Sequence, residues 1–540
     1  MCVMQEPEVL EALRAVGASV SEVSTENGTL KLNAAAREGG RWNLEICVPI
    51  PLTNMPKVFL ANAEDGFGLA HVDHKGEVCY SDQEGESYDP TDLARVTAFA
   101  FQRACSVLEE ASKKRSKRDF RALTDEFEGY WQSIPGCHRA NLTAPPVSDR
   151  ALYGQVNKDN RPGLGKVSLR LLALNYGSPK DQKAPNRKAH YFPLFSPILP
   201  PKNGQAISNE WLIYLIKEGG IEAQKESVKK GLHIFLFSQP RSEGLSLFGV
   251  LFETKILGKN KKEFRSITPF TVQRCWRDYL LERTGQISAR HHVAVIGCGA
   301  VGGRVAEHLA MSGVDELTLV DDDVFTYDNI YRHVLGEGSA GTNKSKALRR
   351  YLSSKCPGLK ITAEPVSAET WLSRTTQVNN CDTLVLTTGK PGLERHINRE
   401  AFANRWPHRL ISGWLEPLGL GGHVMVSQYG QAGCLECLYS DWGGSDPSMR
   451  VSFLKPGQSV SRNITGCGGR FMPYSSIHAA RTALLICEAA LGQKSGYSCW
   501  AGDASSSRSE GLELTSWYER CREGKPSGDV AHEACPCCSS

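Results

Sequence analysis

A chain of 540 residues is long enough for about three or four domains. With 41% hydrophobic and 23% charged residues its composition is globular, and a net charge of +4 spread over 63 basic and 59 acidic side chains gives no whole-chain basis for nucleic-acid binding. The start, MCVMQEPEVLEAL, has neither a basic leader nor a long apolar core, and no apolar run approaches the roughly 18 residues of a membrane span. The expectation is therefore a cytoplasmic protein without membrane segments. The 18 cysteines, with no secretion signal, point to a reducing compartment in which some act as ligands or nucleophiles.

Residues 1–140 read as one small α+β domain. Helical spacing covers 7–16, strands 30–32 and 42–50, then a turn punctuated by Pro49, Pro51 and Pro56 leads to a strand at 58–60. The segment HVDHKGEVCYSDQ follows at 71–83, and a helix is expected over 91–110, running into the basic stretch 113–118, a solvated helix face. Cys79 lies after a strand-like GEV among polar residues, eight positions beyond His71. A thiol in such a loop can carry an acyl group, because the thiolate is the competent nucleophile; a buried structural cysteine is the plain alternative. Residues 141–285 are an α/β linker or adaptor domain, with strands at 167–175, 232–238 and 247–254, a helix at 211–218 and another at 271–283, and no metal or nucleophile motif.

The third domain, 286–540, begins with a βαβ unit. Val293 to Ile296 is a buried strand; Gly297, Cys298, Gly299, Ala300, Val301 and Gly302 open a helix; a second apolar run, 317–320, ends at Asp321. Glycines let the backbone approach a phosphate, the helix N-terminus favours negative charge, and Asp321 sits where a ribose hydroxyl needs an acceptor. That much also suits a nicotinamide dehydrogenase. Asp323, Asn329, Arg332 and Lys344 do not: hydride transfer has no use for them, whereas adenylation of a carboxylate must neutralise a triphosphate and stabilise a pentacoordinate phosphorus. Two CxxC pairs, Cys434/Cys437 and Cys535/Cys538, have tetrahedral Zn2+ spacing, with Cys537 a competing ligand. Cys467 stands between glycines shortly before an apolar helix from about residue 475, a setting that suits a mobile nucleophilic thiol.

These motifs carry a resemblance. Residues 297–344 resemble the adenylation domain shared by ubiquitin-activating enzymes and the MoeB/ThiF sulfur-carrier activators, and residues 49–131 resemble a ubiquitin-conjugating enzyme of prokaryotic type. The whole is similar to the bacterial fusions of these two domains encoded in CBASS anti-phage operons. The resemblance implies that Gly297, Gly299 and Gly302 line the phosphates of ATP, that Asp321 holds the ribose, and that Asn329, Arg332 and Lys344 contact the triphosphate. It further implies a structural Zn2+ on the two CxxC pairs, thioesters on Cys467 and then Cys79, a homodimer, and a separate acyl donor, a cGAS-like nucleotidyltransferase, whose C-terminus is joined to an amine on a target. Two departures stand out. Val72 and Asp73 follow His71 in place of the conjugating family's proline and asparagine, so the family's usual oxyanion stabiliser has no counterpart and Asp73, Asp82 or a backbone N–H is left to other roles. Gly389 falls where the adenylation family has an aspartate for Mg2+, so either Asp323 or a substituted site helps hold the metal or the pocket differs. A sulfur-carrier adenylyltransferase and a non-catalytic scaffold remain alternatives.

Overall fold

The computed structural model describes residues 6–36, 42–81, 85–147, 152–158, 167–173, 187–201, 205–257, 262–286, 289–374, 378–439, 449–458, 460–464, 470–492, 495–524 and 530–539. The chain divides into two compact units, Met1–Cys275 and Trp276–Ser540.

The first unit opens with the helix Glu6–Ala15 and an antiparallel meander of β1 (Ala18–Glu26), β2 (Thr29–Ala36), β3 (Asn43–Pro49) and β4 (Lys57–Leu60). Strict alternation makes the inner strands: Leu30, Leu32 and Ala34 of β2 and Leu44, Ile46 and Val48 of β3 are buried, and their neighbours are not. The helix Leu93–Ser116 lays Val96, Ala100, Phe101, Ala104 and Leu108 into the same core, and its N-cap Asp92 accepts the Arg95 N–H. Strand β1 was not anticipated; SVSEVSTE is polar and mostly exposed, so it carries no apolar alternation.

The rest of this unit is a closed barrel in the order β10-β11-β5-β7-β6-β8-β9, built from β5 (His138–Leu142), β6 (Leu152–Lys158), β7 (Val167–Ala173), β8 (Arg187–Pro193), β9 (Gly231–Pro240), β10 (Leu245–Ile256) and β11 (Lys262–Arg274). The helices Asn209–Glu218 and Gly220–Ser227 fall between β8 and β9. Phe127 and Trp131, from the short helix Phe127–Gln132, join Phe235, Phe237, Phe248 and Phe252 in an aromatic core, and Trp131 Nε1 donates to the Phe270 carbonyl at 3.0 Å. The helix expected over 271–283 is confined to Arg277–Glu282. Thr271 and Val272 are β-branched and take places in β11 opposite Arg139 and Ala140 of β5.

The second unit is a doubly wound sheet, ordered β14-β13-β12-β15-β16-β17-β20. Strands β12 (Ala289–Ile296), β13 (Val314–Val320), β14 (Lys360–Glu364), β15 (Thr383–Leu386) and β16 (Arg409–Leu415) are parallel; β17 (Gly421–Ser427) and β20 (Gly496–Ala501) continue antiparallel, and β18 (Arg462–Asn463) with β19 (Arg470–Phe471) forms a separate ribbon. Val293, Ala294, Val295 and Ile296 are all buried because both faces of the sheet are covered. One face packs on the helices Ala300–Met311, Lys344–Lys355 and Ser476–Leu491, the other on Ala368–Leu372 and Pro391–Ala403. Among the described residues no helix is long and apolar enough to cross a membrane.

Candidate active site

The glycine-rich turn is held from several sides. Gly297 has φ +91°, donates its N–H to the Val320 carbonyl at 2.9 Å, and leaves only 2.7 Å between an added Cβ and the Thr387 carbonyl oxygen. A Cβ on Gly302 would overlap the Gly297 carbonyl oxygen, whereas one on Gly299 would meet only open space. Gly299 is the N-cap of the helix Ala300–Met311 and offers no side chain, so the N–H groups of the first turn lack an intrahelical acceptor beside that space. Buried His333 braces the turn from below. Its Nδ1 accepts the Leu335 N–H at 3.0 Å, which places the proton on Nε2, donated to the Cys298 carbonyl at 2.8 Å. Burial pushes this imidazole down to about 4, so it is neutral near pH 7.

Asp321 closes the turn rather than standing open. One carboxylate oxygen accepts the Cys298 N–H at 2.6 Å and the other the Asp323 N–H at 2.8 Å, while burial raises its pKa. Asp323 pairs with Lys344 Nζ at 2.8 Å, and its carbonyl accepts the Lys344 N–H at 2.9 Å. Asn343, at the N-cap of the helix Lys344–Lys355, ties the Asp321 and Asp323 carbonyls at 2.9 and 3.1 Å. Asn329 ends a single turn whose Thr326 N–H its Oδ1 accepts at 3.1 Å, leaving Nδ2 as the donor group. Arg332 lies 5.6 Å from the centre of the Tyr474 ring. The carboxylates of Asp321, Asp322 and Asp323 have oxygens within 4.8 Å of one another.

Gly299 also lines a cavity of about 430 Å³ together with Thr388, Gly389, Glu394, Trp414 and Tyr474 among others. Gly389 has φ +66° and no side chain to offer a cation. One residue that sequence reading overlooked is Glu394, 5% exposed, which accepts the Thr388 N–H at 2.9 Å and its hydroxyl at 2.8 Å. Burial pushes its carboxyl up to about 7. Nothing in its helical context marks it, since an i,i+4 pattern treats it as one more polar position.

The four CxxC thiols converge. The sulfurs of Cys434, Cys437, Cys535 and Cys538 lie within 4.8 Å of one another, with 3.7 Å between Cys434 and Cys535 and 3.3 Å between Cys437 and Cys538. Tetrahedral ligation at about 2.3 Å requires sulfurs roughly 3.8 Å apart, so the thiols present fit a Zn2+ ion. Glu436, fully buried between the first two cysteines, accepts from Arg399 at 2.6 Å and from Arg395, and Arg395 also stacks 4.0 Å from the Tyr439 ring. These pairs clamp the knuckle to the helix Pro391–Ala403.

In the first unit, exposed Cys79 lies between two depressions of about 400 and 780 Å³ that also share His71 and Glu126. Cys79 donates its N–H to the His71 carbonyl at 2.8 Å, so residues 71–79 fold back as a tight loop with a bridge between Val72 and Val78. Asp73 is committed inside that loop, accepting the N–H groups of Lys75 and Glu77, both at 2.8 Å. His71 has φ +64°; Glu126 takes its backbone N–H at 2.8 Å and its Nδ1 at 2.5 Å, and the hydrogen bond to Glu126 raises its pKa. Cys467 and Asp82 lie outside the described residues. The two described groups of site residues belong to separate units, the glycine turn with Asp321, Asp323, Asn329, Arg332 and Lys344 in one and Cys79 in the other.

With this geometry in place, the comparisons define the class. Residues 274–484 match the ThiF family and residues 14–136 match prokaryotic E2 family B. The two matches lie in one chain, the prokaryotic E2 family B match first and the ThiF match second. It is 29% identical over 224 residues to the ATP-dependent ubiquitin transferase-like protein Cap2 of Pseudomonas aeruginosa, covering 40% of this chain and 39% of that one. With the Escherichia coli protein of the same name it shares 22% identity over 497 residues, covering 81% and 82%. The first alignment thus spans about two fifths of its relative's length and the second about four fifths. The adenylyltransferase and sulfurtransferase MOCS3 of Xenopus laevis is 30% identical over 235 residues, covering 40% and 44%. Among solved structures, E. coli MccB has a TM-score of 0.33 at 16% identity, covering 47% of this chain and 68% of that chain.

Proposed function

We propose that this chain is an ATP-dependent protein-conjugating enzyme. A carboxylate oxygen at the C-terminus of a separate protein attacks the α-phosphorus of ATP at the Gly297–Lys344 pocket, and pyrophosphate leaves. The Cys467 thiolate attacks the acyl carbon and AMP leaves. Cys79 then takes the acyl group from Cys467, and a target amine displaces the Cys79 thiolate, losing a proton as the amide forms. The donor is a cGAS-like nucleotidyltransferase, the setting anti-phage defence in the cytoplasm, and the working form a homodimer.

The observation that carries this reading is the pairing in one chain of a ThiF-matching pocket, with Lys344 poised on Asp323, and an E2-matching domain whose exposed Cys79 sits beside the His71–Glu126 pair. Arg332, Lys344 and the first-turn N–H groups supply positive charge where phosphate charge develops. Mg2+ would neutralise the triphosphate, with Asp323 the carboxylate offered to it. Zn2+ would be structural, held by Cys434, Cys437, Cys535 and Cys538. The sulfurtransferase name of the MOCS3 relative favours a second reading, activation of a sulfur carrier, which uses the same pocket without Cys79. A scaffold would release no pyrophosphate.

ATP–pyrophosphate exchange with candidate protein C-termini, followed by non-reducing gels, separates these. The conjugation reading expects a DTT-sensitive adduct that Cys467→Ala abolishes and that Cys79→Ala confines to Cys467. Full function in Cys79→Ala assigns the chain to carrier activation, and absence of both exchange and adduct removes the enzyme reading.

A further inference from the structure

One close pair of cysteines has no part in the conjugation chemistry or the zinc knuckle. Cys499, on β20, and Cys521, on the helix Ser516–Arg522, hold their sulfurs 3.0 Å apart across 22 residues of sequence, closer than the 3.3 and 3.7 Å contacts within the group of four. Both are free thiols, and among the described residues no third His, Cys, Asp or Glu joins them within metal-ligating reach. The helix is already docked at other points. Trp517 Nε1 donates to the Tyr497 hydroxyl at 3.2 Å, and the Tyr518 hydroxyl donates to the Gly502 carbonyl at 2.8 Å. Cys521 is 7% exposed and Cys499 is half-buried.

We infer that Cys499 and Cys521 form a modification site, a dithiol that a hydroperoxide converts to a disulfide, stitching the outermost strand of the seven-stranded sheet to the helix Ser516–Arg522. The two thiols divide the work. Cys499 is the more accessible, and the hydrogen bond with Cys521 holds its thiol below the ordinary value, so Cys499 is the nucleophile. Its thiolate attacks one peroxide oxygen, an S–O bond forms, the O–O bond breaks, and the other oxygen leaves as an alcohol or water with the proton the thiol gave up. The Cys521 sulfur then attacks the sulfenic sulfur of Cys499, the S–O bond breaks, and the departing hydroxide takes the Cys521 proton and leaves as water. Because Trp517 and Tyr518 already seat the helix, the S–S bond closes without moving it away from its dock. In a reducing compartment the bond is transient, since a dithiol reductant exchanges with it and returns both thiols.

The test treats the full chain, purified with its zinc, with hydrogen peroxide, alkylates the remaining thiols under denaturing conditions, and maps non-reduced peptides by mass spectrometry. The expected product is a peptide pair joined through Cys499 and Cys521, about 2 Da lighter than the two free-thiol peptides together, lost on DTT treatment and formed while zinc is still bound. Thermal melting is expected to rise by about 5 °C on oxidation of the wild type and to stay put in Cys521→Ala. Recovery of both cysteines alkylated, bonding of either to a different cysteine, or linkage only after zinc has been lost overturns the site. Complete linkage with unmoved melting overturns the stitching of strand to helix. Should Cys521→Ala fold poorly, the wild-type map with and without DTT decides alone.

Discussion

The Glu126 carboxylate grips His71 at two points, the backbone N–H at 2.8 Å and Nδ1 at 2.5 Å, across 55 residues of sequence. The hydrogen bond raises the imidazole pKa, so the pair contributes below the ordinary histidine value of about 6.5 and fades as pH rises through the elevated one. Glu126→Gln is therefore expected to move the His71 titration, followed by NMR, down toward its ordinary value. It should also slow discharge of the Cys79 thioester on the order of tenfold. An unmoved titration would show that Glu126 does not hold the ring.

A second prediction concerns Glu394. Its carboxyl is displaced from 4.5 to about 7 by burial, so the fold disfavours the ionised form. A raised carboxyl costs stability as pH climbs through that window, up to about 3 kcal/mol above pH 7. Glu394→Gln keeps an acceptor for Thr388 and removes the charge. Urea denaturation at pH 5.5 and pH 8 should give wild-type stability falling with pH and variant stability changing less; parallel behaviour refutes the assignment.

Lys344→Met and Arg332→Met are expected to lower ATP–pyrophosphate exchange about a hundredfold each, with thermal melting shifted only slightly, because neither side chain belongs to the apolar core. Gly302→Ala should behave oppositely and unfold the turn, since its Cβ overlaps the Gly297 carbonyl oxygen.

Metal analysis of the purified chain should find one zinc per chain. Cys535→Ser and Cys538→Ser are expected to lose it, and Cys537→Ser to keep it, since Cys538 rather than Cys537 completes the group of four converging sulfurs. Retention by Cys538→Ser would assign the fourth place to Cys537.

The adenylation half was legible because its signals are local. Val293–Ile296 reads as a strand buried on both faces, the glycine turn follows at once, and each CxxC pair is a self-contained spacing. In the first unit the exposed loop that carries His71 and Cys79 was legible, but not Glu126, which DEFEGYW does nothing to distinguish and which only tertiary folding brings to the loop. Glu394 was hidden for the same reason: its chemistry comes from the loop it is buried against. Of the helix expected over 271–283 only Arg277–Glu282 forms, because residues up to Arg274 go to strand pairing, a non-local force that outweighs helical spacing in a short run.

The cysteine knuckle also closes a long loop. Its halves are 101 residues apart, and the helix Ser476–Leu491 and β20 lie inside the loop that joins them. In the chain-entropy picture, closing a loop of that length restricts the unfolded ensemble by about 4–5 kcal/mol, a contribution absent until all four sulfurs share one ion. Maturation of the second unit would then depend on metal supply. Without that ion, the Arg395–Glu436–Arg399 clamp would hold only the Cys434–Cys437 end of the loop to its helix.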